Sequence, residues 1–117
     1  MSDRSMLVLI RQPPHGSSRL REGIEAALVG AALGTPPTVL FSGDGVLALL
    51  RNQHAGALEQ KGTAGMIAGM TMYDIEPLYY DAVSLTERGL TPERLVEGCE
   101  AADSAVLIDR HDVVLSF

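Results

Sequence analysis

Met6 to Ile10 reads MLVLI, an unbroken run of large apolar residues. A strand with one wet face alternates apolar and polar positions. A continuous run instead predicts a strand buried on both faces, as in the interior of a parallel sheet. Each such side chain contributes about 1.5–3 kcal/mol on leaving water, enough to organise a small fold around this one strand. Pro13 and Pro14 follow and end it, because proline has no N–H to give to a ladder.

Helical and strand patterns then alternate. Ser17 and Ser18 offer N-caps, and Leu20, Ile24, Ala27, Leu28 and Ala31 recur at helical spacing up to a C-cap at Gly34. Thr38–Ser42 reads as a second strand, Gly43-Asp44-Gly45 as a turn, and Val46–Leu50 as a short helix. The polar stretch Gln53–Gly62 reads as a loop, and Thr63–Met70 as a helix weakened by glycine. Glu76–Tyr80 is the third expected strand, with a helix over Ala82–Arg88 that Gly89 stops. Leu95–Cys99 is expected as a fourth strand, Glu100–Arg110 as the last helix and Val113–Phe117 as a fifth strand. The alternation predicts an α/β fold with right-handed crossovers and helices on both faces of a mainly parallel, five-stranded sheet.

The bulk properties narrow the function. A chain of 117 residues is expected to form one domain, 1–117, and to bury about two-thirds of its unfolded surface. A formal net charge of −6 argues against direct nucleic-acid binding, which needs a basic face. A single cysteine, Cys99, excludes an internal disulfide and a cysteine-rich metal site. The start MSDRS has no apolar signal region and the apolar runs are too short to span a bilayer. A cytoplasmic protein without membrane contact is expected.

Four places invite chemistry. The loop carrying His15, Gly16, Ser17 and Ser18 opens a helix and is a candidate anion site, although it is neither a dinucleotide fingerprint nor a Walker loop. Asp44, after the second strand, is expected to cap the short helix that follows or to meet a ribose hydroxyl. Cys99, expected where a strand hands over to a helix, is a candidate thiol, opposed by flanking Glu97 and Glu100. Asp81 stands at the carboxyl end of the third strand, where ligands and catalysis gather in open α/β sheets. Met70, Met72, Tyr73, Tyr79 and Tyr80 concentrate residue types favoured at subunit contacts and form a candidate interface. The histidines show no metal-ligand spacing, and no metal or cofactor is expected.

PHGSSRLREGIEAAL, FSGDGVLALL, YDIE, SLTERGLT and DVVLSF occur in this order between Met6 and Phe117. Together they resemble the DsrF/TusC branch of the DsrE/DsrF/DsrH sulfur-relay family. The resemblance implies a three-layer α/β/α sandwich of Rossmann or flavodoxin-like type. It also implies a heterohexamer with DsrE/TusD-like and DsrH/TusB-like subunits. In sulfur-carrying members a cysteine precedes a helix ending in an Arg-Gly turn. Counting back from Arg88-Gly89, that cysteine falls at or beside Asp81. An aspartate carries no sulfane sulfur, so the resemblance implies a subunit without catalytic chemistry in a relay toward tRNA 2-thiouridine or sulfur oxidation. Two alternatives remain open. One is a homo-oligomer carrying sulfur on Cys99; the other is a nucleotide- or flavin-binding module.

Overall fold

The computed structural model describes residues 5–14, 18–51 and 57–117, and over 57–64 the backbone alone. Strands β1 (Met6–Ile10), β2 (Thr38–Phe41), β3 (Leu78–Asp81), β4 (Cys99–Ala102) and β5 (Val113–Ser116) form one sheet in the order β4-β3-β2-β1-β5. Every strand pair is parallel. The all-apolar run therefore sits as expected: β1 pairs with β2 on one side and β5 on the other, and Leu7 to Ile10 are all buried.

Helices α1 (Arg19–Ala32), α2 (Ala57–Met72), α3 (Ala82–Glu87) and α4 (Ser104–Arg110) make the crossovers. From β1 to β4 the chain steps in one direction, and right-handed crossovers keep α1, α2 and α3 on one face. The step from β4 back to β5 reverses direction and delivers α4 to the other face. The packing follows this division. Val8, Ile10, Val39, Phe41, Leu78 and Tyr80 meet Leu20, Ile24, Ala27, Met70 and Leu85 in the larger cluster. Leu7, Leu9 and Leu40 form a small second cluster, lined by Tyr79, Ala102 and Leu107 of α4. Among the described residues the sandwich is thus asymmetric, with a thick layer on one face and a single short helix on the other.

Four local expectations are corrected. The stretch 57–62 is helical rather than a loop; Ala57, Leu58, Glu59, Gln60 and Lys61 are good helix formers, and they outweigh the glycine. Residues 53–56 of that expected loop lie outside the described residues. The segment Gly43–Leu49 is one continuous 3-10 helix, not a turn followed by a helix. Gly45 lies so close to β1 that a Cβ there would stand 2.2 Å from the Ile10 carbonyl oxygen. The fourth strand is not Leu95–Cys99 but starts at Cys99. Leu95 is buried in the larger cluster, opposite Leu50 in an antiparallel bridge. Its apolar character serves the core, and Gly98 at φ 87° then turns the chain into β4. The last helix consequently begins at Ser104 rather than at residue 100, with Asp103 as N-cap accepting from the Ala105 and Val106 N–H groups.

Helix α3 ends as its sequence suggests. Gly89 takes φ 68°, its N–H bonds the Thr86 carbonyl and the Leu90 N–H bonds the Leu85 carbonyl. This is the Schellman arrangement, which needs a residue tolerant of the left-handed region. Helix α2 closes with the same bonds around Asp74 at φ 65°.

Candidate functional site: a polar junction at the carboxyl edge of the sheet

Asp81 is the last residue of β3 and the N-cap of α3. Its backbone is extended at φ −72°, ψ 118°, which turns the carboxylate toward two helix starts at once. Oδ2 accepts from the Ser84 N–H at 2.9 Å and from the Ser84 hydroxyl at 2.7 Å. Oδ1 accepts from the Ser104 hydroxyl at 2.7 Å and from the Ser104 N–H at 3.3 Å. The Asp-x-x-Ser spacing supplies the local half of this arrangement. Parallel pairing of Asp81 with Ala102 supplies the distant half, because it brings the start of α4 alongside.

The junction extends toward β2. The Gly43 N–H donates to the Ser84 hydroxyl oxygen at 2.9 Å, and Ser84 is only 8% exposed. Arg88, the C-cap of α3, donates to the Ser84 carbonyl at 3.0 Å and to Asp44 Oδ1 through Nε at 3.1 Å and Nη2 at 2.8 Å. Asp44 therefore does not cap the segment after β2, as its sequence context suggests. Ser42 occupies the N-cap without a side-chain bond, and Asp44 pairs with Arg88 instead.

Burial opposes ionisation of Asp81, but the Ser104 and Ser84 hydroxyls and their N–H groups outweigh it and hold the carboxyl below its ordinary range. A carboxylate so engaged is a weak base, and the serine protons are committed to it. The arrangement joins elements rather than attacking a substrate. Among the described residues no group of three or more His, Cys, Asp or Glu side chains could hold a metal ion. No helix among them is long and apolar enough to cross a membrane.

Cys99 lies at the opposite edge. It opens β4 and pairs with Leu78, whereas Asp81 pairs with Ala102 at the far end. A rise of about 3.3 Å per residue puts roughly 10 Å between the two levels. The strand-to-helix position expected for Cys99 is thus corrected to the amino end of a strand. Burial pushes its thiol up to about 11, and the Arg51 guanidinium pulls weakly the other way. Burial, not the flanking glutamates, is the cause. At pH 7.5 such a thiol is thiolate in about one molecule in three thousand, against about one in ten for an ordinary cysteine. Alkylation of the folded chain by iodoacetamide at pH 7.5 is expected to run about three hundredfold slower than that of free cysteine if it follows the thiolate fraction, and urea should restore the ordinary rate. Rapid labelling of the native chain would contradict this placement.

The candidate interface set divides. Met70 (0% exposed) and Tyr80 (6%) belong to the core under α1 and α2 and cannot serve as surface contacts. The period of two along β3 explains Tyr80, which faces the thick layer while Tyr79 faces the thin one. Met72 and Tyr73 are exposed and Tyr79 is half-buried. Of the candidate anion loop, His15, Gly16 and Ser17 lie outside the described residues. Ser18 is the N-cap of α1, but its hydroxyl donates to Glu22 and makes no cap bond. Sequence reasoning singled out Asp81 and missed Ser104. No local signal marks a residue that reaches the site only through strand pairing.

The chain has relatives among known proteins. Residues 4–117 match the DsrE/DsrF-like family. A Pseudomonas aeruginosa protein TusC homolog is 36% identical over 97% of this chain and 98% of its own length. A Vibrio vulnificus protein TusC homolog is 40% identical over 85% of this chain and 84% of its own. Protein TusC of Escherichia coli O8 is 36% identical over 89% of this chain and 91% of its own. The crystal structure of the ychN protein from E. coli superposes with a TM-score of 0.78 at 20% identity, covering 98% of this chain and all of that one; it shares the fold.

Proposed function

This chain belongs to the DsrE/DsrF-like family and is TusC-like, and we propose that it is an accessory subunit of an intracellular sulfur-relay complex. It works beside DsrE/TusD-like and DsrH/TusB-like subunits and carries no sulfur itself. In such a relay a thiolate attacks the terminal sulfur of a donor persulfide and displaces the donor thiolate. The observation that carries this reading is the state of Asp81. The resemblance puts the cysteine of sulfur-carrying members at or beside Asp81, and here that carboxylate is engaged on both oxygens. The chain's single cysteine sits at the other edge of the sheet with a thiol pushed up to about 11. The TusC relatives favour the tRNA 2-thiouridine branch over sulfur oxidation.

Native mass spectrometry of the chain mixed with its two candidate partner types is expected to give a mixed hexamer. In a sulfur-transfer assay on that complex, Cys99→Ser is expected to leave transfer within about twofold of wild type, since the residue supplies no thiolate. Serine at the partner's relay cysteine should abolish it. Loss of transfer on Cys99→Ser, or a stable homo-oligomer that ignores both partners, would overturn the proposal.

A further inference from the structure

We propose that α4 is a detachable cover on the thin face of the sheet, and that Asp81 is the latch holding it shut. The inference starts from how little else holds this helix. None of its residues is buried. Ser104, Leu107 and His111 are the half-buried positions, spaced three and four apart, so the helix rests on the sheet along one narrow stripe. Only Leu107 of the stripe is a large apolar side chain, and it packs on Leu7, Leu9 and Leu40. Val106 and Ile108 point outward, 43% and 40% exposed. By contrast, α1 buries Leu20, Gly23, Ile24 and Ala27.

The polar ties are equally few. Asp103 caps the helix and the His111 ring nitrogen Nδ1 meets the Leu107 carbonyl. Both are contacts within the segment and travel with it. The hydrogen bonds from Ser104 to Asp81 Oδ1 join α4 to the body of the fold. The flanking strands are separately secured: β4 by its pairing with β3, and β5 by its pairing with β1 and the mutual bonds of Ser5 and Asp112. Helix α4 can therefore leave without unpairing the sheet. Elements with few buried contacts open below the free energy of global unfolding. Opening would bare Leu7, Leu9 and Leu40, which are otherwise buried, beside the half-buried Tyr79. Asp81 is here a positioning residue that acts through Ser104.

Hydrogen exchange of the full-length chain, read by mass spectrometry at peptide level, tests this. In wild type, amides of 104–110 are expected to exchange by a local opening, well ahead of those in α1 and β1. Asp81→Ala should speed exchange of 104–110 by about tenfold or more, the scale of losing charge-assisted bonds. The milder Ser104→Ala should speed it several-fold, and in both variants 104–110 should still exchange well ahead of α1. Ser84→Ala, which removes a hydroxyl from the α3 side, should leave α4 at its wild-type rate. The latch is refuted if 104–110 exchanges only together with α1 and β1, if Ser104→Ala leaves its rate unchanged, or if Ser84→Ala accelerates it as much as Ser104→Ala does.

Discussion

Replacing Gly45 by alanine is expected to destabilise the chain by about 3 kcal/mol or more, enough to leave much of a marginally stable fold unfolded at 37 °C. The added methyl would stand 2.2 Å from the Ile10 carbonyl oxygen and 2.9 Å from its carbon. Neither atom can step aside cheaply. The Ile10 carbonyl accepts from the Ser42 N–H at 3.0 Å, and Gly45 donates to the Ser42 carbonyl at 2.9 Å. The clash therefore falls on backbone pinned at both ends, and β1 is an interior strand paired with β2 and β5. Relief requires the segment 43–49 to lift off, which would withdraw buried Val46, Ala48 and Leu49 and break the Gly43 bond to Ser84. Gly65→Ala and Gly69→Ala provide the contrast, since a Cβ at either position meets nothing within 4 Å. Both lie inside α2, and each is expected to gain about 0.5–1 kcal/mol. Urea midpoints for the three variants check the set. A midpoint for Gly45→Ala within error of wild type would mean that the close approach at β1 is not a packing constraint.

Gly45 also shows where sequence reading stops. Its neighbours mark a turn, but nothing local says that a distant carbonyl lies against it. The parallel fold was legible because β1 is apolar at every position and because helical and strand periods alternate down the chain. The edge strand β4, CEAA, has no such signature. With one neighbouring strand and thin cover it needs little apolar character, so the more apolar Leu95 and Val96 drew the expected strand upstream. That shift moved Cys99 from one edge of the sheet to the other, and with it the case for a reactive thiol. The same period of two that places Tyr79 and Tyr80 on opposite faces could have divided the aromatic set, had the face of each strand been known.

The junction was half legible for a related reason. A cap three residues before Ser84 is a local pattern, and it identifies Asp81 as a structural carboxylate. Ser104, Gly43 and the Asp44–Arg88 pair join it only through the order of strands. Residues adjacent at the carboxyl edge come from loops that the sequence keeps 20 to 60 residues apart. A reading by spacing finds the local partner and assigns the distant ones to other roles, as it did with Asp44.

Asp81→Ala is expected to cost about 2–3 kcal/mol at neutral pH, because it removes one helix cap and leaves two serine hydroxyls without their acceptor. The part that depends on charge has a definite pH signature. Asp81 is held below the ordinary carboxyl range in the folded chain, so unfolding raises its affinity for protons. Its stabilisation is fully present above the unfolded value near pH 4 and is lost as pH falls through the lower folded value. Asparagine separates charge from shape. It keeps an acceptor for one helix start but presents an amide N–H₂ to the other, and it does not titrate. The stability gap between wild type and Asp81→Asn, measured by urea unfolding, should therefore be constant from pH 7 to about 5 and narrow below about pH 4. A gap that widens on acidification would mean that the carboxyl is protonated more readily in the folded state, contrary to the four donors around it. Asp81→Cys uses the same donors from the other direction. A thiol placed where two hydroxyls and two N–H groups already stabilise an anion is expected to titrate below the ordinary value of about 8.5. The edge of the sheet would then be built to hold an anion whichever residue supplies it, with the aspartate tying α3 to α4 where a cysteine would expose a thiolate.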